Sequence, residues 1–265
     1  MPESISSPSN PRIKNIVKLQ SGSRERREQN LFVIEGFREI ERALLSGIEL
    51  SEIYICPELD KESRGEALQK KSPKAIIFLV SKPAFEKVAY REGSDGLIAL
   101  AIPSPMKLND VKLSHSPLVL VLEAVEKPGN LGAMMRTADA AAIDAVIVCD
   151  PATDIYNPNA IRSAVGCMFT TQLVTCSTNE VLKWLKEKGI RIFAAALTSE
   201  AKVYYSLDFK TPTAIVMGTE STGLSRKWLD ESDMQVIIPM KGIADSLNVS
   251  VSAAVLLFEA VRQRD

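Results

Sequence analysis

The feature that most constrains this fold is a series of near-continuous apolar runs in the second half of the chain. They are PLVLVLEAV from Pro117, AVIVCD from Ala145, QLVTC from Gln172, RIFAAAL from Arg191, TAIVMG from Thr213 and QVIIPM from Gln235. These runs do not alternate apolar with polar residues, so neither face of the strands they form is left to water. Such strands belong to a parallel sheet covered by helices on both sides. The stretches between them read as those helices: LGAMMRTADAAA, NAIRSAVGCMF, NEVLKWLKEKG, SRKWLDES and finally SLNVSVSAAVLLFEAVRQR.

The first hundred residues alternate on a smaller scale. Ser9-Asn10-Pro11 opens a helix, with a capping side chain before a proline in the first turn. LFVIEG (31–36), EIYIC, AIIFLVS and GLIALAI read as strands. FREIERALLSG, closed by Gly47, and KESRGEALQKK and KPAFEKVAYRE read as helices. The expectation is a small α/β sandwich. Residues 103–117 (PSPMKLNDVKLSHSP) break the pattern with three prolines and three serines. The predicted organisation is therefore a domain at 1–102, a linker at 103–117 and a larger domain at 118–265.

Charge narrows the choice of partner. Lys plus Arg is 32 against 33 for Asp plus Glu, a net of −1 over 265 residues, so any nucleic-acid footprint must be local. One such stretch exists: Arg12, Lys14, Lys18, Arg24, Arg26 and Arg27 oppose a single acid, Glu25. It reads equally as a solvated helix face or as a phosphate grip. The four cysteines form no CxxC pair, and Cys149 and Cys167 sit among apolar residues, which suits a reducing cytosol. A lone His115 makes no metal cluster. The opening MPESISSPSN lacks the apolar stretch of a signal peptide. No apolar run approaches the roughly 18 residues needed to span a membrane.

Three strand-to-helix loops carry the chemistry. In PGNLGAMMRTA (128–138) Asn130 is placed to cap a helix, and Arg136 sits in an otherwise apolar or small run, where it needs an anion or a path to solvent. In MGTESTGLS (217–225) Gly218 closes an apolar strand and Glu220 follows in the turn. In IPMKGIADSLNVSVSAA a strand, Val236 to Pro239, enters a turn holding Gly242, Ser246 and Asn248 that opens straight into an apolar helix. Ser246 or Asn248 caps that helix; one cap leaves the other polar residue unexplained. Free backbone N–H groups at a helix start grip polar ligands. No GxGxxG fingerprint occurs, which disfavours a dinucleotide-binding Rossmann domain.

In order and spacing these three segments resemble the motifs of the SpoU (TrmH) branch of the SPOUT methyltransferases, over essentially all of residues 118–262. FVIEGFREIERAL and DGLIALA are similar to that family's substrate-binding domain, which is akin to kink-turn-binding ribosomal proteins. The resemblance implies a trefoil-knotted C-terminal domain. It also implies transfer of methyl from S-adenosyl-L-methionine to a ribose 2′-hydroxyl of rRNA or tRNA by a cytoplasmic homodimer without metal. It places the cofactor against Gly218, Ile238, Met240 and Leu247, largely through backbone groups. It assigns catalysis to Arg136, with Asn130, Glu220, Ser246 and Asn248 orienting it and the ribose. An arginine pKa lies above about 12, so Arg136 steadies the developing alkoxide or clamps a phosphate rather than acting as a literal base. Asn157 and Arg162 are candidates for the RNA face. Lys127, Gly129, Asp144 and Ala164 depart from the usual motif residues, so substrate identity does not carry over. Two other readings share the fold: a non-catalytic RNA-binding or ribosome-assembly factor, and a SPOUT enzyme that methylates a base.

Overall fold

The computed structural model describes residues 2–90 and 93–265. They form two compact units, Met1–Ser104 with Tyr156–Thr170 and Pro105–Ile155 with Thr171–Asp265.

The first unit opens with β1 (Glu3–Ile5), α1 (Pro11–Ser21), α2 (Ser23–Gln29), β2 (Phe32–Glu35), α3 (Phe37–Leu45), β3 (Leu50–Ile55), α4 (Arg64–Lys71), β4 (Ile76–Val80), α5 (Lys82–Glu86) and β5 (Leu97–Ala101). Among the described residues its sheet runs β1-β4-β3-β5-β2, with β5 antiparallel to both neighbours. Helix α1 starts where proline permits, and the Asn10 side chain accepts from the Arg12 N–H at 2.9 Å. Ile13, Ile16 and Leu19 recur on one face of α1 and pack with Val33, Tyr54, Phe78 and Ile98. Strand β1 lies in the polar N-terminal stretch, where among the described residues only Ile5 is buried; sequence pattern did not signal it. The helix expected over 82–92 ends by Glu86, and its last positions, Arg91 and Glu92, lie outside the described residues.

The second half continues with β6 (Leu118–Glu123), α6 (Pro128–Ala140), β7 (Ala145–Cys149), α7 (Pro158–Ala164) and α8 (Cys167–Thr170). Then come β8 (Leu173–Cys176), α9 (Thr178–Glu187), β9 (Arg191–Ala195), β10 (Lys202–Val203), β11 (Thr213–Met217), α10 (Arg226–Glu231), β12 (Met234–Ile237) and α11 (Val249–Arg264). The seven-stranded sheet has the order β10-β12-β9-β11-β6-β7-β8, and every pairing in it is parallel. Val119 and Val121 of β6 join Trp184 of α9 and Trp228 of α10 in one core layer. Leu118, Leu120 and Leu122 alternate with them and are equally buried. This two-sided burial is what the unbroken apolar runs demanded.

The proline-rich stretch is stitched to this unit. Asp144 accepts from the N–H groups of Ser114 (2.5 Å) and Leu118 (2.8 Å), and Gln172 exchanges two bonds with the backbone of Lys112. Met106, Leu108, Val111 and Leu113 pack on the core.

The segment read as one helix, 159–169, is two short helices that belong to the first unit. Val165 (φ 56°) and Gly166 (φ 81°) break it in the left-handed region, which a β-branched residue rarely enters. The Arg42 guanidinium of α3 donates to the Val165 carbonyl at 2.7 Å, and Tyr156 stacks on Phe32 with ring centroids 4.3 Å apart. A Cβ on Gly166 would lie 2.6 Å from Arg42 Cδ. Gly166→Ala is therefore expected to destabilise the first unit by about 1–3 kcal/mol, combining backbone strain with displacement of Arg42. Urea unfolding followed near the Phe32–Tyr156 stack measures this; an unchanged midpoint would contradict it.

Candidate active site

Because the seven strands are parallel, their carboxyl ends share one edge, where open α/β sheets bind ligands. The loops after β6, β11 and β12 leave that edge and contain the three singled-out segments.

Helix α6 begins at Pro128, so its cap position is Lys127, which forms no side-chain cap. This corrects the expectation that Asn130 caps the helix. Asn130 stands inside the first turn, and its side chain is free to reach across the site. Its Nδ2 donates to Glu220 Oε1 at 2.6 Å, and its Oδ1 accepts from Asn248 Nδ2 at 3.2 Å. Asn248 is the actual cap of α11: its Oδ1 accepts from the Ser250 N–H at 2.9 Å. Residues distant in sequence, one from each loop, thus form a single hydrogen-bonded line.

Glu220 has a second partner, the Glu126 N–H, at 3.2 Å. Partial burial pushes its carboxyl pKa up, but hydrogen bonds from Asn130 and from the backbone of Glu220, Glu126 and Lys127 outweigh this and hold it below the ordinary carboxylate range. The carboxylate is therefore charged at neutral pH. A lowered folded-state pKa contributes stability above the unfolded value and loses it as pH falls through the folded value. Glu220→Gln should accordingly melt below the parent at neutral pH, and the gap should close on acidification. A gap that persists in acid would show that the charge is not what holds the loops.

Gly218 follows the last residue of β11, beneath its own loop. A Cβ there would come 2.2 Å from the Gly223 carbonyl carbon and 2.4 Å from the Leu224 nitrogen. Thr219 and Gly223 close the turn with reciprocal backbone bonds of 3.1 Å. Two carboxylates not singled out from sequence secure it from the β6 side. Glu123, 8% exposed, accepts from the Ser225 N–H at 2.7 Å, and Glu126 accepts from Ser221 Oγ at 2.7 Å. An acid closing an otherwise apolar strand was the available signal for Glu123.

Strand β12 spans Met234–Ile237, earlier than the expected Val236 to Pro239. Met234 and Gln235 pair with Phe193 and Ala194 of β9, whereas Pro239 has no N–H to add to a ladder. Ile238 and Met240 are half-buried; Ser246 and Leu247 are exposed. Among the described residues no hydrogen bond within the chain reaches the backbone of 239–247. This segment therefore offers unspent main-chain donors and acceptors at the same sheet edge as Gly218, a set suited to the edge of a nucleobase.

Arg136 and Ser246 lie outside the hydrogen-bonded line. Arg136 is exposed on α6, two turns beyond Asn130, and has no ion-pair partner among the described residues. It has the solvent path its setting requires.

The basic stretch is divided by the fold. Arg26 is 4% exposed and donates to the Leu19 carbonyl at 2.5 Å, so it is structural and unavailable to phosphate, contrary to the sequence expectation. Arg12 pairs with Glu52 at 3.0 Å and covers the Phe78 ring at 4.2 Å. Arg24 pairs with Glu28 at 2.6 Å. Lys14, Lys18 and Arg27 are exposed. Asn157 caps α7 by accepting from the Asn159 N–H, and Arg162 lies over the Tyr90 ring at 5.5 Å. No group of metal-ligating side chains occurs among the described residues.

Comparison with known proteins gives two family matches: the SpoU rRNA Methylase family over residues 117–258 and an MRM3-like substrate binding domain over residues 10–99. The 23S rRNA (guanosine(2553)-2′-O)-methyltransferase RlmP of Bacillus subtilis is 32% identical over 96% of this chain and 97% of its own length. A crystal structure of an RNA 2′-O ribose methyltransferase is 41% identical, with a TM-score of 0.84 over 98% of this chain and 99% of the other. An AdoMet-bound rRNA methyltransferase from Sinorhizobium meliloti is 25% identical, with a TM-score of 0.90 over 98% and 97%.

Proposed function

From membership of the SpoU rRNA methylase family, to which this chain belongs as an S-adenosylmethionine-dependent RNA ribose 2′-O-methyltransferase, we propose that its target is ribosomal RNA. The observation that carries the assignment of the site is the line Glu220–Asn130–Asn248, which joins the three loops beside unspent backbone groups.

When bound, S-adenosylmethionine supplies an electrophilic methyl on sulfur. The backbone at Gly218, Ile238, Met240 and Leu247, at the carboxyl edge of the sheet, would hold it. Glu220, charged and doubly bonded, fixes the loops so that little reorganisation is left for the reaction itself. Asn130, Ser246 and Asn248 present polar groups to the ribose. The hydroxyl becomes a competent nucleophile only as its proton departs, and the unpaired Arg136 guanidinium steadies the negative oxygen or the phosphate next to it.

RNA is gripped by the first unit, through Lys14, Lys18 and Arg27 with Arg24 beside them, and recognition is of folded shape more than of linear sequence. The exposed apolar side chains Val251 and Phe258 on α11, with Leu247 in the loop before it, suit packing against a second copy, so the working species is a homodimer. The C-terminal domain carries the family's trefoil knot. No helix among the described residues is long and apolar enough to cross a membrane, and the cysteines are free thiols, in keeping with a cytoplasmic enzyme.

Alkaline hydrolysis of RNA from cells with and without the gene tests this. A ribose methyl protects its 3′ phosphodiester, so one protected position in rRNA should vanish in the deletion. A lost base methyl with every phosphodiester still cleavable would instead identify a base methyltransferase. Unchanged RNA would point to a non-catalytic binding factor.

A further inference from the structure

The base of the loop over Gly218 is held by Glu220 and by the Thr219–Gly223 bonds, but its tip has little to keep it in place. Ser221, Thr222 and Gly223 are exposed, and a Cβ built on Gly223 meets nothing within 4 Å. Leu224 packs on the core at the far end of the loop, but Ser221, Thr222 and Gly223 carry no large apolar side chain, so hydrogen bonds decide where the tip sits. One end is secured by Glu123 through the Ser225 N–H at 2.7 Å. The tip is secured by a single side-chain bond to another loop, Ser221 Oγ donating to Glu126 Oε1 at 2.7 Å. Glu126 also offers its backbone N–H to Glu220 at 3.2 Å. Its own backbone is steadied in turn, because Thr153 Oγ1 donates to the Glu126 carbonyl at 2.7 Å. Glu126 thus touches the β6 loop, the β11 loop and the loop after β7 at once, while its side chain stands in solvent.

We propose that Glu126 is a positioning residue for methyl-donor binding: with Ser221 it latches the 219–225 loop against Gly218, so that the backbone there is presented in one conformation. The inference rests on the reading of the three loops as the S-adenosylmethionine site. Glu126 touches no reacting atom. The latch acts by removing conformations that the loop must otherwise lose on binding, a cost that appears in affinity. Its loss raises the dissociation constant of the donor and leaves the rate from the filled site nearly intact.

The test is calorimetric titration of the full-length protein with S-adenosylmethionine, with methylation of rRNA measured at saturating donor. Glu126→Ala and Ser221→Ala should each weaken binding roughly five- to tenfold, the worth of one charge-assisted hydrogen bond at a partly wet site. The double variant should lose no more than either single one, as two ends of one bond require. Glu126→Gln should recover most of the affinity, since its amide oxygen accepts the same hydrogen. Melting temperatures should hardly move, because the Glu126 side chain is solvent-exposed. If the parent protein fails to bind the donor, the site reading falls and takes the latch with it. If the parent binds and Glu126→Ala binds as tightly, or if the single losses multiply in the double variant, the latch alone is wrong.

Discussion

Gly218→Ala is expected to weaken S-adenosylmethionine binding on the order of 100-fold, because forced overpacking of this kind costs about 1–3 kcal/mol and here falls on the binding backbone itself. The atoms a methyl group would strike are the main chain of Gly223 and Leu224, 2.2–2.4 Å from the built Cβ, so no flexible side-chain tip can swing aside. The whole turn must lift. That strains the reciprocal Thr219–Gly223 bonds and pulls Ser221 and Glu220 away from Glu126 and Asn130. The sheet beneath should survive, since Gly218 lies beyond the last residue of β11. Calorimetric titration gives the affinity, and circular dichroism checks the fold. Tight binding by a folded Gly218→Ala protein would remove Gly218 from the donor site.

The second large effect is at Arg136. Arg136→Ala should lower methyl transfer to RNA by about 10²–10³-fold, the usual cost of deleting one donor aimed at charge that develops in a transition state. Donor affinity should stay near that of the parent, because among the described residues Arg136 makes no bond to the loops that carry Gly218 or Met240. Arg136→Lys should fall between the two, keeping the charge but losing the planar fork that holds a phosphate oxygen pair. Single-turnover methylation alongside donor titration separates these effects. Equal losses in affinity and rate would place Arg136 in the donor pocket; normal turnover would end its candidacy.

The parallel sheet was legible because burial on both faces leaves so direct a mark: Val119 and Leu120 point opposite ways yet neither meets water. The first helix was legible from Asn10 and Pro11 because capping is local chemistry. The meeting of Asn130, Glu220 and Asn248 followed from motif order, although Asn130 does not cap its helix, because Pro128 sets an earlier start. What escaped notice depends on partners far along the chain. Strand β1 is polar and exists because β4 offers it an edge. Arg26 resembles its basic neighbours in sequence, yet it turns inward to main-chain carbonyls at the end of α1. Glu126 and Ser221 are unremarkable in isolation and matter only because the fold sets them face to face.

The stacking of Tyr156 on Phe32 has a consequence for biogenesis. A ribosome delivers the chain from its N-terminus, at about 5–20 residues per second. The strands and helices of residues 2–104 emerge early, but the rings and short helices that cover β2 and α3 come from Tyr156–Thr170. For several seconds the nascent first unit therefore exposes Phe32 and Arg42 without their covering, while strands of the other unit are already arriving. A release or pause before Thr170 would leave it a sticky intermediate, the kind of species that chaperones exist to hold.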